Sequence, residues 1–247
     1  MKTLGKKILW GVFFLFVVLI GFFGWYVMDD YDATSEALEA LNSSETIQVK
    51  GEDPIHFYPK ESESSEIGLI FYPGGKVETE AYAPLMQALA EEGYSVFLVD
   101  MPFGLAVFDI KAAEAIINEQ SDISQWYLAG HSLGGAMAAL FAENHLEELA
   151  GLILLAAYST ADLSQSKLPV LTILGSEDQV MNTTKVSEYR PMLPEDATEQ
   201  MIQGGNHAQF GDYGPQAGDG EASITALEQQ QLTVEAIKAF IEAAESE

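Results

Sequence analysis

The chain has 247 residues and 26.9 kDa, with 11 Lys and Arg against 38 Asp and Glu, a formal net charge of −27 and a pI near 4.2. So strong an acidic excess argues against binding nucleic-acid phosphates, which needs clustered Lys and Arg. The absence of Cys excludes disulfides, thiolate metal sites and a Cys nucleophile, and 48% hydrophobic residues suit one globular domain.

Lys2, Lys6 and Lys7 precede an uncharged run of 21 residues over 8–28. At about 1.5 Å rise per residue, a helix of that length crosses a hydrocarbon core of about 30 Å. Asp29, Asp30 and Asp32 follow at once. The positive-inside rule then expects residues 1–7 in the cytoplasm, 8–28 as a single-pass signal-anchor in the cell membrane, and the remainder extracellular. Trp25 and Tyr26 fall where an interfacial aromatic belt belongs. A cleaved secretory signal is the rival reading. Its apolar region usually runs about 7–15 residues, and the small residues 33–35 lie well past the apolar run. Without its first 28 residues the chain keeps 8 basic and 38 acidic side chains, a net charge of −30. That charge keeps the domain soluble and repels it from anionic lipid headgroups.

Residues 29–45 read as a stalk with a short helix over 34–41, and 46–247 as the folded domain. Small strands are expected at 47–49 and 55–58 around the turn at 51–54. A polar surface loop of Ser and Glu covers 61–66. Ile67–Tyr72 is a continuous apolar run, the pattern of a strand buried on both faces. A helix over 81–92 ends at Gly93, followed by a strand over 94–99, a helix through 111–117 and a strand over 126–129. The pattern continues with a helix over 133–144, strands at Gly151–Leu155 and 170–174, and a helix at Thr183–Tyr189. A weaker strand at Thr198–Ile202 and an amphipathic helix over 232–244 close the chain. Strands alternating with helices predict an α/β fold, a mostly parallel sheet with helices on both faces.

Chemistry in such sheets gathers at the carboxyl ends of the strands. One end reads Gly130-His131-Ser132-Leu133-Gly134, a G-x-S-x-G between strand and helix. That turn forces Ser132 into a strained backbone and lifts its hydroxyl into a cleft, while Gly130 and Gly134 let strand and helix approach. An ordinary Gly-rich turn is the plain alternative. The strand before it and the small residues Gly135, Ala136, Ala138 and Ala139 behind it favour the elbow.

A Ser nucleophile needs a His base oriented by a carboxylate. Of four His, His56 lies in an early strand, His131 on the elbow and His145 at a helix end. His207 remains, in the Gly-rich loop after the last strand, and is the expected base. The carboxylate should follow the preceding strand, where Glu177 and Asp178 stand together. Asp178, deeper in the loop, is preferred; Glu177 is the near alternative and Asp162 the distant one. Ser132, Asp178 and His207 then fall in the chain order Ser, acid, His.

Acyl transfer also needs donors for the tetrahedral oxyanion. The Leu133 N–H, at the helix N-terminus, is one. The second belongs to the loop after the first long strand, Pro73-Gly74-Gly75-Lys76, with Gly75 preferred and Lys76 next. Asp212, Asp219 and Glu221 show no recognisable metal-ligand spacing and read as a solvated loop.

The segments FYPGGKVETEAYAPLMQALAEEGYSVFLVDMPFGLAVF, LAGHSLGGAMAA, LGSEDQV and GGNHAQFGDYG resemble the small α/β-hydrolase fold-5 family, related to the dienelactone hydrolases. The likeness runs from about Thr46 to the C-terminus. It implies an α/β-hydrolase sheet with Ser132, Asp178 and His207 as triad and no metal or organic cofactor. Where dienelactone hydrolases carry a Cys nucleophile, this chain has Ser132, which separates it from that substrate.

The sequence therefore predicts a membrane-anchored extracellular serine esterase, its partners a small-molecule ester and the lipid bilayer. Two other readings use the same residues: an acyltransferase, and a catalytically silent cell-envelope binding protein. Only residues 156–169 join the strand after the elbow helix to the next, too little apolar chain for a lid over a long acyl group. Short acyl esters of about C2–C6 are expected, unless Phe103, Leu105 and Phe108 extend the groove as a second wall.

Overall fold

The computed structural model describes residues 2–60 and 66–246, without the side chains of residues 2–5, 25, 27, 28 and 183. The belt position of Trp25 and most of the polar loop at 61–66 lie outside the described residues. The chain divides into two compact units, one ending at Asp30 and one beginning at Tyr31.

The first unit is a single helix, α1 (Lys2–Met28), long and apolar enough to cross a membrane. Its side chains from Ile8 to Phe23 stand exposed.

The second unit is built on an eight-stranded sheet in the order β1-β2-β4-β3-β5-β6-β7-β8. The strands are β1 (Ile47–Lys50), β2 (Ile55–Pro59), β3 (Ile67–Tyr72), β4 (Ser95–Leu98), β5 (Gln125–His131), β6 (Gly151–Leu155), β7 (Val170–Gly175) and β8 (Thr198–Ile202). β3 to β8 pair in parallel; only β2 runs antiparallel, to β1 and to β4. The helices are α2 (Ser35–Glu39), α3 (Ala83–Glu91), α4 (Ala112–Glu119), α5 (Leu133–Glu143), α6 (Thr183–Tyr189) and α7 (Ala226–Ala244).

The unbroken apolar runs follow from this layering. Successive side chains of a strand point to opposite faces. Leu69 and Phe71 of β3 enter one core with Leu85 and Leu89 of α3 and Ile237 and Ile241 of α7. Ile70 and Tyr72, their neighbours, enter the other with Ile116 of α4 and Phe141 of α5. Both faces are dry, so neither register of the alternation can be polar.

Residues 31–45 do not form a free stalk. Tyr31 pairs with Val77 and donates its N–H to the Lys76 carbonyl, Thr34 donates to the Asp212 carbonyl, and Ala37 of α2 is fully buried. Alternating Ala and Leu in this segment reads equally as a solvated helix or as one docked by a few small side chains. The structure shows docking. The last helix starts six residues earlier than the periodicity suggests, because Thr225 and Glu228 form a capping box around its first turn.

Candidate active site

Four loops converge at the carboxyl edge of the parallel strands. They follow β3 (Gly74–Gly75), β5 (Ser132), β7 (Asp178) and β8 (His207).

Ser132 links β5 directly to α5 with φ 51° and ψ −117°. A non-glycine residue held there stores about 1–3 kcal/mol of strain. It is held by its N–H donating to the Leu155 carbonyl of β6, while its own carbonyl takes the Ala136 N–H of α5. The glycines are steric necessities. A Cβ on Gly130 would stand 2.6 Å from Gly134 C and Gly135 N, and one on Gly134 would overlap the Tyr72 and Pro73 carbonyl oxygens. Gly135, which the sequence offered only as a small residue, has no more room: a Cβ would meet Ala157 Cβ at 2.6 Å.

His207 Nδ1 lies 2.8 Å from Asp178 Oδ2, and both side chains are 3% exposed. A carboxylate only accepts, so Nδ1 carries a proton, and in the neutral ring Nε2 is the nitrogen with a free lone pair. The other carboxylate oxygen, Asp178 Oδ1, accepts the N–H groups of Val180 (2.9 Å) and Met181 (2.8 Å), which lock its orientation. Glu177 is exposed and takes the Ser176 hydroxyl; Asp162 is exposed and takes the Ser164 hydroxyl and N–H. Neither alternative acid meets His207.

The other histidines are accounted for by packing. His56 contacts Ser95 Oγ at 2.7 Å and stacks on Phe97; burial pushes its pKa down to about 4. His145 stacks on Phe141 and bonds the Phe141 carbonyl at 2.8 Å, at the end of α5. His131 is buried, with its ring 4.6 Å from that of His207. Burial, and then the neighbouring His207, hold its pKa well below the ordinary imidazole value.

In the β3 loop, the Gly74 N–H donates to Tyr82 Oη and the Lys76 N–H to the Gly104 carbonyl. Of these three successive amides, the two outer ones are thus engaged within the protein. Gly75 lies against Leu133: a Cβ there would be 3.0 Å from Leu133 Cδ2. Leu133 is the first residue of α5, where a backbone N–H has no acceptor within the helix.

Ser132 and His207 line one cleft of about 330 Å³, together with Leu133, Ala157, Tyr158 and Met181. Residues 156–169 contribute no helix above it. Part of its wall comes from the start of α6, through Asn182. Phe103, Leu105 and Phe108 do not line this cleft, although Leu105 Cδ2 would stand 3.4 Å from a Cβ on Gly75. A larger depression of about 440 Å³ between β2 and α4 contains none of these groups.

Two residues of the site were not legible as such. Tyr82 joins the Gly74 loop to His131. Asp219, read from sequence as solvated, accepts the Gln179 N–H (3.2 Å) from the acid loop, the Ala208 N–H (2.9 Å) from the base loop and its neighbour's Gly220 N–H (2.8 Å). It therefore ties the loops of Asp178 and His207 together. Neither role leaves a local motif, because the partners lie far apart in the chain.

A strained Ser between a parallel strand and a helix, with a His–Asp pair opening on the same cleft, defines an α/β-hydrolase type of protein. The model of the alpha/beta hydrolase family matches residues 68–231, and the chain belongs to that family. A candidate non-heme haloperoxidase of Mycobacterium phage D29 is 32% identical over 98 residues, 36% of this chain and 35% of that protein. The chain thus aligns with about a third of that relative. Among solved structures, a predicted CIB-like hydrolase from Thermoplasma acidophilum superposes with a TM-score of 0.57 at 14% identity, covering 78% of this chain and 99% of its own. TT1662 from Thermus thermophilus does so with 0.57 at 15%, covering 79% and 98%. These two likenesses concern the fold.

Proposed function

We propose that the protein is a membrane-anchored, extracellular serine hydrolase that cleaves a carboxylic ester of short acyl chain through an acyl-enzyme. One observation carries the reading: the His207 ring, oriented by Asp178 at 2.8 Å, opens on the same cleft as the strained Ser132. Ser132 Oγ attacks the ester carbonyl while His207 Nε2 takes its proton, and the N–H groups of Leu133 and Gly75 receive the oxyanion. His207 returns the proton to the leaving alcohol. Water then repeats the sequence, releasing the acid and free Ser132. Asp178 holds the tautomer and stabilises the imidazolium throughout. The reaction draws only on these side chains and amides.

The acyl-enzyme also supports transfer to an alcohol or amine, and the name of the phage relative adds hydrogen peroxide as an acceptor worth including. Product analysis with each acceptor in competition with water separates transferase from hydrolase. A silent binding protein is the reading of a different class. A fluorophosphonate probe decides against it by labelling the wild type and not Ser132→Ala; an unlabelled wild type overturns the serine-hydrolase reading.

Anchoring rests on the length and apolarity of α1 and on the Lys2, Lys6 and Lys7 cluster before it. Protease added to intact cells should remove the catalytic unit and leave a small embedded stub. A soluble mature protein beginning near Glu36 would show a cleaved signal instead.

A further inference from the structure

The exposed large apolar residues of the second unit mostly stand at separate points of the chain, such as Leu38, Leu146, Met201 and Leu227. One group does not. Phe103, Val107 and Phe108 are 59%, 49% and 52% exposed, and the two rings meet edge to face at 5.5 Å. Phe103 has φ 60°, a left-handed backbone that a bulky side chain rarely adopts. Folding has held an aromatic outward at a cost, the kind of outlier that points to use.

The position of this group is informative. Gly104, next to Phe103, accepts the Lys76 N–H at 3.0 Å, and Leu105 touches the space beside Gly75. The Lys76 carbonyl in turn accepts the N–H of Tyr31, where the chain enters the catalytic unit. Entry point, Gly74–Gly75 loop and aromatic loop are thus successive hydrogen-bonded neighbours. Only Asp29 and Asp30 separate Tyr31 from Met28, the last residue of α1. Three links of chain reach at most about 10 Å, whatever angle the helix takes.

We infer that the Phe103, Val107 and Phe108 surface rests in the headgroup region of the bilayer that holds α1, so that the substrate is an ester carried at a membrane surface. This rests on the anchored-hydrolase reading above. Aromatic rings suit that region because they bury apolar area at the boundary of headgroup and acyl chain. The net charge of −30 on the chain after residue 28 disfavours anionic lipid, so the partner is a zwitterionic surface such as phosphatidylcholine. The small cleft takes the short acyl part, and the alcohol part remains in the membrane.

Because the chain has no Cys, one introduced thiol is a unique label. The full chain would carry an environment-sensitive dye at Phe103→Cys, Val107→Cys or, on an exposed site before β6, Glu148→Cys, in phosphatidylcholine vesicles doped with nitroxide lipid. Several-fold stronger quenching at 103 and 107 than at 148 is expected. Equal quenching at all three, or none, in protein that still floats with the vesicles overturns the inference and spares the anchor. Protein that does not float overturns the anchor and the inference with it. Failed fluorophosphonate labelling with selective quenching overturns the hydrolase reading, and with it the substrate half of the inference. A second measurement uses the doubly substituted Val107→Asp, Phe108→Asp chain. Hydrolysis of a long-chain alcohol's butyrate in vesicles should fall several-fold while soluble p-nitrophenyl butyrate is unaffected; equal loss on both overturns the interfacial role.

Discussion

Tyr82 Oη lies 2.8 Å from His131 Nδ1 in the interior, and the same oxygen accepts the Gly74 N–H at 3.0 Å. The amide N–H donates, and the buried phenol hydrogen is satisfied when it goes to His131 Nδ1, which is then the neutral tautomer with its hydrogen on Nε2. One hydroxyl thus pins the loop that presents Gly75 to the strand end that presents Ser132. There is no slack in the arrangement: a Cβ on Gly74 would stand 2.7 Å from Tyr82 Oη and 2.8 Å from His131 Nδ1.

Tyr82→Phe keeps the ring and leaves both partners buried and unpaired. Each such group costs about 1–3 kcal/mol, so denaturant unfolding should show a loss in that range. If the phenol also positions the Gly75 N–H, kcat on p-nitrophenyl acetate should fall with little change in KM. A variant as stable and as fast as wild type would remove Tyr82 from the site.

Ser132, the proposed nucleophile, gives two separable effects at one position. Ser132→Ala should lose roughly a thousandfold or more in kcat. It should fold normally but keep the strain, because Ala also carries a Cβ. Ser132→Gly should be equally inactive and gain about 1 kcal/mol, since glycine adopts φ 51° freely. His207→Ala should match Ser132→Ala, and His145→Ala, which only removes a ring stacked on Phe141, should stay active.

Asp219 offers a graded test. Asp219→Ala removes the acceptor for one N–H of the acid loop, one of the base loop and that of its neighbour Gly220, and a shift of the His207–Asp178 pair by about 1 Å costs up to roughly a hundredfold in rate. Asp219→Asn keeps the oxygen that faces Gln179 and Gly220 but turns an NH₂ toward Ala208, so it should fall between Ala and wild type. Unchanged kcat in Asp219→Ala would show that the loops hold without it.

How far the sequence could be read follows from where information sits along the chain. The elbow is local: Gly130, Ser132 and Gly134 collide or not within a single turn, so the pentapeptide carries its own geometry. Asp178 could be proposed because it follows the visible apolar run of β7, whereas His207 follows the largely exposed β8 and was reached by elimination among four His. Tyr82, Asp219 and the docking of residues 31–45 depend on partners 49, 40 and 45 or more positions away in the chain, which no window of sequence displays. The same holds for β2, whose apolar residues give no sign that it alone reverses direction.

Two histidines, His131 buried and His56 half-buried, set a pH dependence. His56 is held down to about 4 and His131 well below its ordinary value, both first by burial. The unfolded chain binds these protons near pH 6.5, whereas the folded chain does not until the pH is far lower. Stability is thus fullest above about 6.5 and falls as the pH drops toward 4, where His56 finally protonates in the fold. Thermal melting followed from pH 7 to 4 should show the decline, and His56→Gln, which can still bond Ser95, should make it shallower. A slope identical in that variant would assign the decline to other groups.

Acyl-chain length tests the shape of the cleft. Its volume of about 330 Å³ is shared with the reacting carbonyl, and residues 156–169, where a lid would insert, run without a helix and tuck Ala157, Ala161 and Leu163 inward. Phe103 and Phe108 do not line it. Each methylene that finds apolar surface adds up to about 0.8 kcal/mol, close to a fourfold gain in kcat/KM. Across a p-nitrophenyl ester series in solution, kcat/KM should therefore climb to about C4–C6 and then level, because further methylenes meet water instead of protein. The wall at Met181 and Tyr158 sets that limit, and Met181→Ala should move the plateau outward by one or two carbons. A curve still climbing beyond about C10 in the wild type would mean that a longer groove opens when substrate binds, and the short-acyl reading would fall.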